Sequence, residues 1–253
     1  MIRGWQLRVS QFLLPKAGAE ASECEDAIGV NAAAGRFAVA DGATEAFDAR
    51  SWAQQLAAGW VAAEPPLLSR EAFGAWVAEQ GTALHDSWQG RVLPWYAEEK
   101  ARRGSFAAFV GVQFELGNGT PRWTAIALGD SCLIQRRGAR VCCALPVADH
   151  QQFTSTPLLV PSLGGLHEST LAQARVESGA VEPADVFWLL SDATAEWFLR
   201  HAAEADGVLE QLDNLLANDQ TEELASLFQQ ERRARRIKDD DVAVVRIEAV
   251  SCP

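Results

Sequence analysis

Four short acidic motifs end or flank apolar runs in this 253-residue chain: Glu25-Asp26, Asp41-Gly42, Asp192 within LLSDA, and the aspartate triplet 239–241 ahead of VAVVRI. Carboxylates set where strands stop can point together into a cleft, and without cations they would repel one another and be costly to desolvate. Hard divalent ions such as Mg²⁺ or Mn²⁺ relieve both costs, because they take oxygen ligands and keep several waters. The pattern suggests a metal site. Each motif alone has a plainer reading: Glu25-Asp26 as a solvated pair or cap, Asp41-Gly42 as a turn, Asp192 as a helix N-cap, and 239–241 as a solvated turn. Those readings share no reason to line up with one fold.

The elements that would carry these residues follow from apolar patterning. Strands are expected over 5–13, 26–30 and 36–40, the last stopping at Asp41. Helices follow over 44–63, with Trp52, Leu56 and Trp60 on one face, and over 69–88, with Phe73, Trp76, Val77 and Leu84; Pro65-Pro66 separates them. The middle reads as an antiparallel meander over 106–115, 123–128, 132–136 and 141–145, with turns at Gly117-Asn118-Gly119 and Gly129-Asp130-Ser131. Residues 149–172, which contain Pro157, Pro161, Gly164 and Gly165, read as irregular surface structure and a candidate flap. A buried strand over 186–190 runs into Ser191-Asp192. Helices over 194–203, 207–217 and 219 to about 236 come next, the last capped by Asp219 or Thr221, and a strand over 242–247 closes the chain. Helices clustered between antiparallel strands argue for an α+β layered fold, with two sheets face to face and helices outside, rather than a doubly wound sheet. With no linker visible, one domain is expected across 1–253.

Composition narrows the classes. The chain is 48% hydrophobic and 22% charged, with a net charge of -12 from 34 acidic and 22 basic residues. This balance argues against nucleic-acid binding and against a membrane surface. The five cysteines, at 24, 132, 142, 143 and 252, lack CxxC spacing and nearby histidines, so neither a disulfide framework nor zinc is indicated and the reducing cytoplasm is the expected compartment. The opening MIRGWQLRVSQFLLPKAG is too short and too interrupted for a signal peptide or a membrane span.

Taken in order, the segments ECEDAIGV, RFAVADGATEAF, GSFAAFVGV, WTAIALGDSCLIQRRGARV, VFWLLSDATAEWF and DDDVAVVRIE resemble the metal-dependent protein serine/threonine phosphatases of type 2C, in a divergent bacterial-type form. The resemblance spans nearly the whole chain. It implies a four-layer α-β-β-α sandwich, a centre of two Mn²⁺ or Mg²⁺ ions between the sheets, and hydrolysis of phosphoserine or phosphothreonine in proteins phosphorylated by a cognate kinase. It further implies that Asp41 bridges the two ions and that the Gly42 carbonyl serves one of them. Glu25 matches the glutamate on the second ion, and Asp26 the neighbour that holds metal-bound water. Asp192 and Asp240 match the aspartates completing the first ion's shell, and Asp130 the residue used for a weaker third ion. Such ions activate a water at neutral pH and neutralise the transferring phosphoryl group, so direct attack by a bridging hydroxide is expected, with no phosphoenzyme.

Departures from the family pattern lie on the substrate side. Ala21 stands where many members carry a phosphate-binding arginine, and Ala43 where animal members carry a histidine. Thr44-Glu45-Ala46 and Ala193 replace glycines, changing the backbone freedom beside Asp41 and Asp192. The tryptophans read as core, and Cys142-Cys143 as part of a buried strand. His150 and His167 in the candidate flap, Arg232, Arg233, Arg235 and Arg236 at a helix end, and Arg102-Arg103 are weaker candidates for substrate contact. Two alternatives stay open: an inactive scaffold that binds phosphoproteins, and a hydrolase of small phosphorylated metabolites.

Overall fold

The computed structural model describes residues 5–64, 69–90, 94–117 and 120–251. Pro65-Pro66, the last two residues of the Gly117-Asn118-Gly119 turn, and Cys252 lie outside the described residues. The first sheet holds β1 (Trp5–Leu14), β11 (Val242–Ser251), β10 (Asp185–Leu190), β6 (Cys132–Arg137) and β7 (Arg140–Leu145), in that order; the second holds β2 (Asp26–Asn31), β3 (Arg36–Gly42), β4 (Phe106–Glu115), β5 (Arg122–Leu128) and β9 (Arg175–Ala180). A two-residue strand β8 (Val160–Pro161) adds to the start of β4. Every pairing is antiparallel.

Three apolar layers account for the stacking. Between the sheets, Phe37, Val39, Val110, Val112 and Phe114 meet Leu133, Phe187, Leu189, Val245 and Ile247. On the outer face of the second sheet, Ala38, Ala40, Phe109 and Ile126 pack under α1 (Ala49–Ala62) and α2 (Arg70–Trp88) through Trp52, Leu56, Trp60, Phe73 and Trp76. On the outer face of the first sheet, Trp188, Leu190 and Val244 pack under α5 (Asp192–Glu204), α6 (Val208–Ala217) and α7 (Thr221–Arg233) through Trp197, Phe198, Leu212, Leu216 and Phe228. The result is the α-β-β-α sandwich. Strands such as β4 and β10 are buried on both faces, which is why they read as nearly continuous apolar runs rather than alternating ones. Each large side chain so buried contributes about 1.5–3 kcal/mol relative to exposure.

Several local expectations need correction. Helix α1 begins at Ala49 rather than near 44, because residues 43–48 form an irregular loop in which Asp48 is left-handed (φ 49°). Helix α7 begins after Gln220, and neither Asp219 nor Thr221 caps it; Asp219 itself is left-handed (φ 57°). Two short helices, α3 (Trp95–Arg103) and α4 (Glu168–Leu171), and strand β9 had no sequence counterpart. The segment 149–172 is not all irregular surface: Val160 and Ser162 are buried, Val160 O accepts from Trp52 Nε1 at 2.9 Å, and Ser162 Oγ accepts from Ser105 N at 2.8 Å. Cys142 is exposed on β7, the last strand in the order of its sheet among the described residues, and the four described cysteines are free. Among the described residues no helix is long and apolar enough to cross a membrane.

Candidate metal centre

Strand register brings the acidic motifs to one end of the sandwich. In the second sheet β2 and β3 pair so that Asp26, the first residue of one, lies opposite Asp41 near the end of the other. In the first sheet the end of β10 lies between the starts of its two neighbours, with Leu190 opposite both Cys132 and Val244. Asp192 follows β10, Asp130 precedes β6, and Asp240 precedes β11, so antiparallel pairing alone gathers all three at one edge. Gly129-Asp130-Ser131 is also the crossover between sheets, from β5 in one to β6 in the other. Gly129 has φ 109°, and a Cβ there would stand 2.5 Å from the Ala108 Cβ. Gly42 is held as tightly: a Cβ on it would meet Ala49 O at 2.7 Å.

Asp41, Gly42, Asp130, Asp192 and Asp240 line one cleft of about 410 Å³, together with Ala43, Thr44, Glu45, Asp241 and Lys238. Thr154, Ser155, Pro157 and Leu159 from the 149–172 segment also line it. His150 and His167 are not among the lining residues.

Glu25 and Asp26 sit beside the cleft rather than in its lining. The Glu25 carboxylate accepts from Thr44 Oγ1 at 2.6 Å and lies 3.6 Å from Lys16 Nζ, while its backbone carbonyl accepts from Gly42 N at 3.2 Å. Asp26 is buried behind Asp41; the Ser191 hydroxyl bonds its carboxylate, yet its Oδ2 has no hydrogen-bond partner.

The electrostatics are those of a crowded acidic cluster. Burial, with Asp26, Asp192, Asp130 and Asp240 around it, pushes the Asp41 carboxyl well above the ordinary range. Burial does the same to Asp26, partly offset by Ser191 and reinforced by Asp241, Asp192 and Asp240. Asp130 is pushed up to about 7, first by burial and then by Asp192. A set of all-oxygen donors, with Asp26, Asp41 and Asp130 resisting ionisation and Asp26 Oδ2 buried and unpartnered, fits hard divalent cations.

One cation of the protein is already there. Lys238 Nζ lies 3.2 Å from Asp192 Oδ2 and 2.7 Å from Asp240 Oδ2. Burial works against this ammonium, but its hydrogen bond to Asp240 and the charges of Asp192 and Asp240 outweigh that and raise its affinity for the proton.

No family model matches the sequence, and no curated protein matches it. Solved structures do. The Mycobacterium tuberculosis serine/threonine phosphatase PstP/Ppp aligns at TM-score 0.65 and 17% identity over 96% of this chain and 98% of that one. The PstP catalytic domain in complex with two manganese ions aligns at 0.63 and 18% over 97% and 99%. Stp1 from Staphylococcus aureus aligns at 0.62 and 14% over 98% and 97%. The fold is that of the type 2C phosphatases.

Within that type 2C fold, three residues near the site carry roles that sequence reasoning did not assign. Lys238 occupies the space between two of the predicted ligands. Asp241, 3% exposed, accepts from Lys16 N at 2.8 Å and from Glu25 N at 2.7 Å, tying the 16–25 segment to the start of β11. Ser191 bonds Asp26 and accepts from Ala243 N at 3.0 Å. The adjacency of Lys238 and Asp241 to Asp240 was the available signal. Two of the clustered arginines are engaged within the protein: Arg232 donates to Pro15 O and to Asp240 O, and Arg236 pairs with Glu231. Arg102 lines a separate groove with His85 and Trp88.

Proposed function

We propose that residues 1–253 form one catalytic domain of a metal-dependent phosphatase acting on phosphoserine and phosphothreonine in proteins. The observation that carries this reading is the convergence of Asp41, Asp130, Asp192 and Asp240, from four separate strand ends and turns, on one cleft at the sheet ends. Asp41, the Gly42 carbonyl, Asp192 and Asp240, with Glu25 turned inward from Thr44, are the proposed ligands of two Mn²⁺ or Mg²⁺ ions, and Asp130 of a third. Bound there, such ions supply a nucleophile at neutral pH and neutralise charge on the phosphoryl group.

The chain's own residues do the rest. Asp26, opposite Asp41, is the residue proposed to hold metal-bound water. Asp241 fixes Glu25 by its backbone, and Gly42 admits the close approach of the residue 25 and residue 49 backbones. Asp41, Asp192 and Asp26 are the proposed catalytic carboxylates. Thr154 and Ser155, in the candidate flap at 149–172, add two hydroxyl side chains to the cleft lining. Phosphorylated products of a serine/threonine kinase are the expected substrates, and the cytoplasm the expected compartment.

A second reading is favoured by one observation. Lys238 pairs with Asp192 and Asp240, and Ala43 offers only a methyl to the cleft, as a weak or inactive phosphoprotein-binding scaffold would have it. Hydrolysis of p-nitrophenyl phosphate and of a phosphothreonine peptide with Mn²⁺, by wild type and Asp192→Asn, separates the two. A phosphatase turns over both substrates and loses about 100-fold or more with the variant. A scaffold shows no metal-stimulated turnover in either protein, and aryl phosphate turnover alone points to small-molecule substrates.

A further inference from the structure

The charged residues lining the cleft are acidic apart from one side chain. Asp41, Glu45, Asp130, Asp192, Asp240 and Asp241 face it, and Lys238 is the basic residue among them. Its ammonium lies between Asp192 and Asp240, where an ion sharing those carboxylates would have to sit. Two like charges cannot share that position, so an ion that enters must expel the ammonium.

The surrounding loop is built so that the side chain alone can leave. Asp240 N donates to Lys238 O at 3.0 Å, Asp239 accepts from Ala17 N at 3.0 Å, Asp241 holds two backbone amides, and Arg232 donates to Asp240 O. The backbone of 238–241 is therefore fastened on several sides, while the Lys238 side chain is 57% exposed. A lysine stem has enough rotatable bonds to carry its ammonium several ångströms while both carboxylates stay fixed.

Once displaced, the ammonium remains in a cleft where Asp41, Asp130, Asp192 and Asp240 are the proposed metal ligands, Asp241 is taken by two backbone amides and Glu45 pairs with Lys100. The group left for it is the phosphoryl dianion of a substrate, in a site where Ala43 provides no charge. We propose that Lys238 is an exchangeable cation: it holds Asp192 and Asp240 together in the metal-free protein, and it turns to the substrate phosphoryl group when a divalent ion takes those carboxylates. This inference rests on the metal reading above and adds a residue that anchors substrate and lowers metal affinity.

The test is isothermal titration of wild type, Lys238→Met and Lys238→Arg, first with Mn²⁺ and then, on the Mn²⁺-loaded proteins, with inorganic phosphate. Circular dichroism and the cooperativity of unfolding establish that each variant is folded. Lys238→Met is expected to bind Mn²⁺ about tenfold or more tightly, because no tethered competitor remains, and phosphate about tenfold or more weakly, because a charged hydrogen bond is lost. Lys238→Arg keeps a displaceable cation and stays within about threefold of wild type for phosphate. Mn²⁺ uptake by Lys238→Met alone supports the exchange in its strongest form, the ammonium excluding the ion. Unchanged or weaker Mn²⁺ binding by Lys238→Met, or unchanged phosphate binding, overturns the proposal while leaving the metal centre standing. No Mn²⁺ uptake by any of the three proteins overturns the metal reading itself, and this proposal with it.

Discussion

Asp130→Asn in the metal-free protein offers a quantitative check on the acidic cluster. Asp130 is 6% exposed, and burial followed by the charge of Asp192 raises its carboxyl from the ordinary 3.8 to about 7. Because the folded value lies above the unfolded one, the folded state binds the proton more tightly. That contribution to stability is complete below about pH 4 and is lost as pH rises through 7. Between pH 5 and pH 7 the unfolded carboxyl is already ionised and the folded one is not, so wild type loses about 1.4 kcal/mol per pH unit from this group, or about 3 kcal/mol in all. An amide at 130 has nothing to ionise, and its absence also eases Asp41, which Asp130 helps to raise. Urea unfolding followed by tryptophan fluorescence, in EDTA at pH 5 and pH 8, reads the effect. The stability of Asp130→Asn relative to wild type should increase by about 3 kcal/mol from the lower pH to the higher. A difference that stays constant across the two pH values, or that shrinks, refutes the description of Asp130 as a buried carboxyl crowded by like charge.

Other perturbations follow from the same geometry. Asp241→Ala removes two charge-assisted acceptors for backbone amides and should cost about 3 kcal/mol in equilibrium unfolding, with weakened Mn²⁺ affinity because Glu25 is no longer fixed. Gly129→Ala forces a Cβ into the Ala108 side chain at a positive φ, and a loss of about 2–4 kcal/mol by denaturant unfolding is expected. Mn²⁺ at about 100 times its dissociation constant should stabilise wild type by about 3 kcal/mol against urea; Asp41→Asn should gain far less.

Much of the site could be read from the chain because its residues stand next to strong strand signals. RFAVADG and VFWLLSD are apolar runs that can only be buried strands, so the aspartates ending them had to face the rim of a sandwich. Asp130 was marked by its glycine turn. Other features depend on three-dimensional neighbours that no local pattern encodes. Helix α3 carries few apolar residues and exposes Trp95, and β9 alternates weakly along an edge, so neither shows a convincing period. The segment 149–172 looked loose because its prolines and glycines hide two residues, Val160 and Ser162, whose partners lie on β4 and α2. Asp241 and Lys238 were indistinguishable from Asp240 as members of a charged run. Only the turn at 238–240 and the distant Lys16 and Glu25 amides separate an anchor, a counter-ion and a candidate ligand within four consecutive residues.

The central claim is that the aspartates at the sheet ends form a divalent metal centre, and counting bound ions tests it without relying on any substrate. Equilibrium dialysis against Mn²⁺ with elemental quantification should find two ions per wild-type chain, with a weaker third at higher concentration, and loss of both tight ions in Asp41→Asn. A wild-type chain that retains no Mn²⁺, or an Asp41→Asn chain that retains as much as wild type, would contradict it.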